Sequence, residues 1–251
     1  MTTSPLRLSG KRALVTGAAR GIGAAIALKL AEDGADVAIT YEKSAEKAEA
    51  LATEIRALGR KAIAIQADAA SPEAVKTAVA TTVSELGGLD ILVNNAGVGG
   101  DGSLVADQSL ENIDQLLNVN VRGVILTTQA ALAHIPEGGR IISIASCLSD
   151  RVSFGGVTVY SATKSALEGF NRGLAREVGS RQITVNLVKP GPIDTDMNPA
   201  DGPYSESARA VLALGHYGET RDIAEAVAFL AGPEAKYVTG TSIVVDGGAN
   251  T

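Results

Sequence analysis

Seven short runs rich in Val, Ile and Leu recur along the chain: RALVT (12–16), DVAIT (36–40), KAIAIQ (61–66), LDILVN (89–94), GRIISIA (139–145), ITVNLV (183–188) and TSIVV (241–245). Between them lie longer segments of helical period at 21–33, 44–58, 72–86, 107–133, 157–179 and 220–231. A strand that is apolar on both faces must be covered on both, and strands joined by helix-length crossovers pair in parallel. The alternation predicts an α/β fold, a doubly wound parallel sheet of seven strands with helices on both faces. In such open sheets a ligand lies beyond the carboxyl ends of the strands, where the strand order reverses.

No linker, repeat or charge block divides the 251 residues, so the chain reads as one domain, 1–251. An apolar share of 45% with 20% charged residues is that of an ordinary folded protein. A net charge of −6 without a Lys/Arg cluster argues against nucleic acid, whose phosphates demand concentrated positive charge. Cys147 is the single cysteine, which excludes an internal disulfide, and the isolated His134 and His216 provide no metal-ligand spacing. The opening MTTSPLRLSGKR lacks a signal-peptide core, and no run approaches the ~18 apolar residues of a membrane span. These features read as a cytoplasmic protein without a membrane partner. The longest irregular stretch, KPGPIDTDMNPADGPYSES (189–207), carries four prolines and marks a lid over the site at about 192–216.

Glycine weakens either a strand or a helix, yet Gly17, Gly21 and Gly23 crowd the junction between the first strand and the helix suggested by Ile22, Ile26 and Leu30. Gly17 suits a tight turn, Gly21 removes a side chain where backbone amides approach a pyrophosphate, and Gly23 lets the helix pack closely. The order Gly-x-x-x-Gly-x-Gly departs from the usual dinucleotide pattern. A ligand-free glycine turn remains an alternative at this point.

In VYSATKSALEGFNRGLARE (159–177), Tyr160 and Lys164 stand four apart and share a helix face. An ammonium beside a phenol favours the phenolate and draws its pKa toward the working range. Such a phenol exchanges a proton with a carbonyl or alcohol oxygen. An ordinary surface pair has the same spacing. Ser146 follows the fifth strand directly and is preferred as the hydroxyl that holds that oxygen, with Ser143, Ser149 and Ser153 as competitors.

TGAARGIG (16–23), NNAG (94–97), NVNVRG (118–123), Ser146, YSATK (160–164), KPGPIDT (189–195) and VTGTSIVVDGG (238–248) occur in one order over nearly the whole chain. Together they resemble the short-chain dehydrogenase/reductase family. The resemblance implies a Rossmann-type sheet, a nicotinamide cofactor and a catalytic tetrad of Asn120, Ser146, Tyr160 and Lys164. Tyr160 would be the general acid in reduction, and Lys164 would lower its pKa and bind the nicotinamide ribose. Ser146 would hold the substrate oxygen, and Asn120 would hold a water that relays protons to Lys164. Ser146 precedes Tyr160 by fourteen residues, one more than in many members. Asn94, Ala96 and Gly97 would border the adenosine ribose. Asn94 would equally serve as a brace between strands. Pro190 and Gly191 open the lid, and Ile193 and Thr195 would meet the carboxamide.

NAD-using relatives carry Asp where this chain has Tyr41, so repulsion of a 2′-phosphate is reduced, and Arg20 and Lys43 are cations suited to it. NADP(H) is therefore favoured over NAD(H), with Glu42 as the dissenting residue. Ser44 borders the same end, and Asp68 resembles the acid near adenine or, equally, a helix cap shared with Ser71. Val98, Leu148, Met197 and Tyr204 suggest a mostly apolar pocket for a ketone, aldehyde or 3-oxoacyl thioester, with the 3-oxoacyl-carrier-protein reductase branch the nearest in kind. IPEGGRII (135–142) and PGPIDTDMNPADGP (190–203) also resemble a cyclic-di-GMP-binding, biofilm-dispersal branch of the family. The family commonly forms homotetramers, here through 107–133, 157–179 and the last strand.

Overall fold

The structure, a computed structural model, describes residues 6–251, so the first five residues of the N-terminal reading lie outside the described residues. Seven strands, β1 (Arg12–Val15), β2 (Asp36–Tyr41), β3 (Ala62–Gln66), β4 (Ile91–Asn94), β5 (Arg140–Ile144), β6 (Thr184–Pro190) and β7 (Ser242–Val245), form one sheet. All pairs are parallel, in the order β3-β2-β1-β4-β5-β6-β7. The helices are α1 (Gly21–Glu32), α2 (Ala45–Ala57), α3 (Pro72–Leu86), α4 (Leu110–Leu117), α5 (Val124–Leu132), α6 (Thr158–Val178), α7 (Ser205–Ala210) and α8 (Thr220–Ala231).

Alternation along the strands builds two cores. Ala13 and Val15 of β1, Val37 and Ile39 of β2, and Ile91 and Val93 of β4 face α1, α2 and α8, meeting Ile26, Leu30, Leu51, Ile55 and Val227. The intervening Leu14, Ala38 and Leu92 turn the other way and meet Val79, Leu86, Ala131, Leu174 and Val178 of α3, α5 and α6. Strands buried on both faces need this double cover, which is why their sequences are apolar at successive positions.

β1 pairs with both β2 and β4, so the strand order reverses there and a crevice opens beyond the carboxyl ends of β1 and β4. Two features depart from the sequence reading. The single helix expected over 107–133 is two helices, α4 and α5, joined by a π-helical turn, Asn118–Gly123. Gly123 carries this turn against the loop after β3, where a Cβ would stand 2.5 Å from the Ala69 carbonyl oxygen. α7 begins within the stretch read as irregular and runs three residues past it. The chain leaves the sheet after β6 and returns at one pinned point: Gly218 N donates to Pro192 O at 3.0 Å, and Asp194 N to Gly218 O at 3.0 Å.

Candidate active site

The glycine turn is filled by its surroundings rather than loose. Gly17 and Gly21 hold φ of +63° and +58°, the left-handed region that glycine adopts without strain. A Cβ on Gly17 would lie 2.8 Å from Ala96 Cα, and one on Gly23 only 2.4 Å from Asn95 Nδ2 and 2.8 Å from Gly17 O. Gly23 therefore packs against the loop after β4 and the turn itself, not the sheet. Asn95 draws the two loops together, its Nδ2 donating to Thr16 O at 2.8 Å and Gly17 O at 3.0 Å. The Thr16 hydroxyl accepts from Asn95 N and Ala96 N, each at 3.0 Å, and Gly17 N donates to Thr40 Oγ1 at 3.0 Å.

The amino end of α1 bears no side-chain cap and no acidic residue in its first turn. Its unpaired N–H groups and dipole favour an anion there. The segment after β6 begins against it: a Cβ on Gly21 would lie 3.6 Å from Thr195 Cγ2. Arg20 is paired with Asp196 at 3.0 Å, and Lys47 reaches the same Asp196 oxygen at 3.5 Å, so two cations converge on one carboxylate. They hold Asp196 below the usual carboxylate range, Arg20 first. Lys43, by contrast, is exposed and pairs with its neighbour Glu42 at 3.1 Å. Tyr41, the last residue of β2, packs against the core as does Ile22, and Ser44 precedes α2 without capping it. Asp68 is exposed and accepts from Ala70 N at 2.8 Å, while Ser71 alone caps α3 through Ala74 N at 3.3 Å.

Asn94 lies at the inner end of β4. It is buried, and its Nδ2 donates to Thr128 Oγ1 at 3.1 Å and Ser143 Oγ at 3.3 Å, bracing β4 to α5 and β5. The same bonds bury Ser143 and remove it as a competitor of Ser146.

Ser146, Tyr160, Lys164 and Asn120 gather at the carboxyl end of β5. Ser146 Oγ accepts from Leu148 N at 3.2 Å, and Ser149 turns its hydroxyl back to Ser146 O at 2.7 Å. Burial pushes the Tyr160 phenol up, and the Ser146 hydroxyl beside it pulls it back. Lys164 is 5% exposed, and its Nζ donates to Ile144 O at 2.9 Å. The ammonium stands 5.8 Å from the centre of the Tyr160 ring. Burial is the largest influence on the phenol at this place in the fold. The lysine itself is lowered by burial to about 8.

Asn120 is fully buried in the π-helical turn. Its Nδ2 donates to Val98 O at 2.9 Å and Thr163 Oγ1 at 3.1 Å, and its Oδ1 accepts from Val98 N at 2.9 Å. Both amide hydrogens are thus used, and one lone pair on Oδ1 remains for a water. A Cβ on Gly97 would lie 3.3 Å from that Oδ1 and 3.4 Å from Lys164 Nζ, so glycine keeps open the space the two share.

The loop carrying Ser146 is fastened to the helix carrying Tyr160, since Ser161 Oγ donates to Leu148 O at 2.7 Å and Ser165 Oγ to Ser149 O at 3.0 Å. Buried Lys189 on β6 grips Asp150 at 2.7 Å and also pairs with Glu168. Pro190 extends β6 beside Val245, Gly191 abuts Asp246, and Ile193 is buried where the chain leaves the sheet. Met197 and Tyr204 are exposed on the segment that follows, and Met197 Sδ lies 3.7 Å from the place of a Gly99 Cβ. Thr16, Thr40, Asn95 and Lys47 are the site residues that sequence reasoning missed. The second Asn of NNAG and a cation one turn into α2 were the available signals.

Among the described residues no group of three or more His, Cys, Asp and Glu side chains is placed to hold a metal, and no helix is long and apolar enough to cross a membrane. A family model described as enoyl-(acyl carrier protein) reductase matches residues 17–250. A short-chain dehydrogenase from Burkholderia cenocepacia, solved in complex with NADP, superposes with a TM-score of 0.96 at 57% identity, covering 98% of this chain and 100% of that one. The 3-oxoacyl-[acyl-carrier-protein] reductase of Staphylococcus aureus is 44% identical over 241 residues, 95% of this chain and 97% of the relative. The cyclic-di-GMP-binding biofilm dispersal mediator protein of Escherichia coli is 43% identical over 239 residues, 95% of this chain and 97% of the relative. With the glycine turn, the Tyr160–Lys164 helix and the reversed strand order in place, the chain belongs to the short-chain dehydrogenase/reductase family of oxidoreductases.

Proposed function

We propose that the protein is an NADPH-dependent carbonyl reductase acting on a ketone, an aldehyde or a 3-oxoacyl substrate. The observation that carries this reading is the convergence of Ser146, Tyr160, Lys164 and the Asn120 oxygen at the carboxyl end of β5, beside a glycine turn and an uncapped helix end. The turn fits a dinucleotide because side chains at Gly17 and Gly21 are excluded by conformation and the α1 amides are free to meet its phosphates. Arg20 and Lys47, now shared by Asp196, are the cations suited to a 2′-phosphate, which favours NADP(H) over NAD(H). Lys43 joins them only by turning away from Glu42.

When bound, the reduced nicotinamide supplies a hydride to the carbonyl carbon. Tyr160 donates its phenolic proton to the carbonyl oxygen as charge develops there, and the Ser146 hydroxyl donates to the same oxygen. Lys164 would hold the ribose of the nicotinamide and, lowered by burial to about 8, is the group suited to resupply the proton of Tyr160. A water between Lys164 Nζ and Asn120 Oδ1 replenishes it. The segment at about 192–216, pinned at its base, acts as the lid of the single domain, with Met197 and Tyr204 forming apolar walls of the pocket. A panel of ethyl acetoacetate, aromatic ketones and aldehydes, followed by NADPH absorbance, tests the assignment. NADPH oxidation by the wild type and its absence in Tyr160→Phe is the expected result; no turnover across the panel overturns it.

The assembly that fits best is a homotetramer of a cytoplasmic enzyme. Leu104, Leu110 and Leu117 are exposed before and along α4, and β7 is an open sheet edge carrying exposed Val244. Apolar surface of this kind is suited to a second copy. The biofilm-dispersal relative favours one alternative, a regulatory protein that binds cyclic di-GMP on the same fold. Calorimetry with cyclic di-GMP decides between them, since a pure regulator binds it and leaves the ketone panel untouched.

A further inference from the structure

The segment Asp246–Thr251 after β7 touches three parts of the site. Gly191 N donates to Val245 O at 2.9 Å, and a Cβ on Gly191 would stand 2.5 Å from Asp246 Cα, so the segment is seated on the turn that opens the lid. Gly247 O accepts from Leu214 N at 3.1 Å near the lid's end, and a Cβ on Gly248 would stand 2.6 Å from that of Ala213. Finally, Asn250 Nδ2 donates to Cys147 O at 2.7 Å.

That last bond falls on one particular peptide plane. The C=O of Cys147 and the N–H of Leu148 belong to the same rigid unit, and the Leu148 N–H donates to Ser146 Oγ at 3.2 Å. Whatever fixes the carbonyl therefore aims the N–H. With one of its two lone pairs fixed by Leu148, the Ser146 hydroxyl keeps its hydrogen for the other side, toward Tyr160 and the oxygen it would polarise. The other ties on this loop grip Leu148 O, Ser149 O and the Asp150 carboxylate. Cys147 O otherwise receives only the loop's own Asp150 N at 3.1 Å and Arg151 N at 3.4 Å.

We propose that Asn250 is a positioning residue: it clamps the Cys147–Leu148 peptide and so orients the Ser146 hydroxyl, from a segment that also anchors both ends of the lid. This rests on the carbonyl-reductase reading, in which Ser146 and Tyr160 act on the substrate oxygen. A serine hydroxyl turned from its productive direction loses its bond to the transition state while the glycine turn and the amino end of α1, beyond β1, stay as they were.

The test compares wild type, Ser146→Ala, Asn250→Ala and the isosteric Asn250→Asp, which lacks the donor, with the best ketone of the panel. The expected result is a fall in kcat of about tenfold in both Asn250 variants. The dissociation constant for NADPH, read by its fluorescence, and the melting temperature stay unchanged. The alkaline limb of the kcat profile moves to higher pH, because the Ser146 hydroxyl beside Tyr160 pulls the phenol down less once it is turned away. An unchanged kcat, or a kcat that falls only in step with melting temperature and NADPH affinity, overturns the positioning role. Full activity of Ser146→Ala, or none in the wild type, overturns the underlying reading instead.

Discussion

Replacing Lys164 by methionine should make the protein more stable while abolishing its activity. Methionine matches the lysine stem in length and removes a charge that is 5% exposed. Burial lowers the ammonium from 10.5 to about 8, a difference that corresponds to a cost of roughly 3 kcal/mol for keeping it charged in the fold. The variant also loses the bond to Ile144 O, worth about 1 kcal/mol, so the net gain at neutral pH is about 2 kcal/mol. For a chain of this size that corresponds to a rise in melting temperature of ~5 °C.

The sign with pH follows from proton binding. Below pH 8 the lysine is charged in both folded and unfolded chains, and the whole cost is present. Between about 8 and 10.5 the unfolded chain holds the proton that the folded one has released, so wild-type stability climbs and the gap to the variant closes. The chain has no tryptophan, so far-UV circular dichroism at matched protein concentration is the assay. A gap independent of pH from 7 to 10, or a variant less stable at every pH, would refute the claim that desolvation dominates at Lys164.

Other outcomes are as definite. Tyr160→Phe should lose reductase turnover by a factor on the order of 10³ while its NADPH affinity, read by fluorescence titration, is kept. Asp196→Asn releases Arg20 and Lys47 and should tighten NADPH about threefold with NADH unchanged, the scale set by exposed ion pairs; equal effects on both cofactors would separate these cations from the 2′-phosphate. Gly23→Ala drives a methyl into Asn95 and the Gly17 carbonyl and should cost about 1–3 kcal/mol in urea unfolding together with cofactor binding. Light scattering should give four times the protomer mass, and the protomer mass alone would contradict the assembly.

All seven strands were legible because burial on both faces writes itself as consecutive apolar residues, and helices α1, α2, α3, α6 and α8 because one face of each alternates at helical period. The π-helical turn was hidden, since NVNVRG has no propensity that separates it from an ordinary helix; its cause is tertiary, the close approach of Gly123 to Ala69. Side-chain commitments were likewise out of reach. Asn94 and Asn95 are identical neighbours, yet one faces into the sheet and the other holds the glycine turn, a difference set by strand alternation at the end of β4. Arg20 was read as a free cation because Asp196 lies 176 positions away and only the fold brings them together. Spacing placed Lys164 beside Tyr160, but only the fold shows how deeply the amine is buried and that it is held by Ile144 O.

The pinned base at Pro192, Asp194 and Gly218 makes the stretch between them an insert that can vary in length so long as it keeps the ties of Asp196 to Arg20 and Lys47 and of Leu214 to Gly247. Its two stems emerge from adjoining backbone, so a longer or shorter insert costs little closure entropy and leaves the sheet's hydrogen bonding intact. Grafting a different insert onto this base should retune which molecules are accepted while the reaction itself is inherited unchanged.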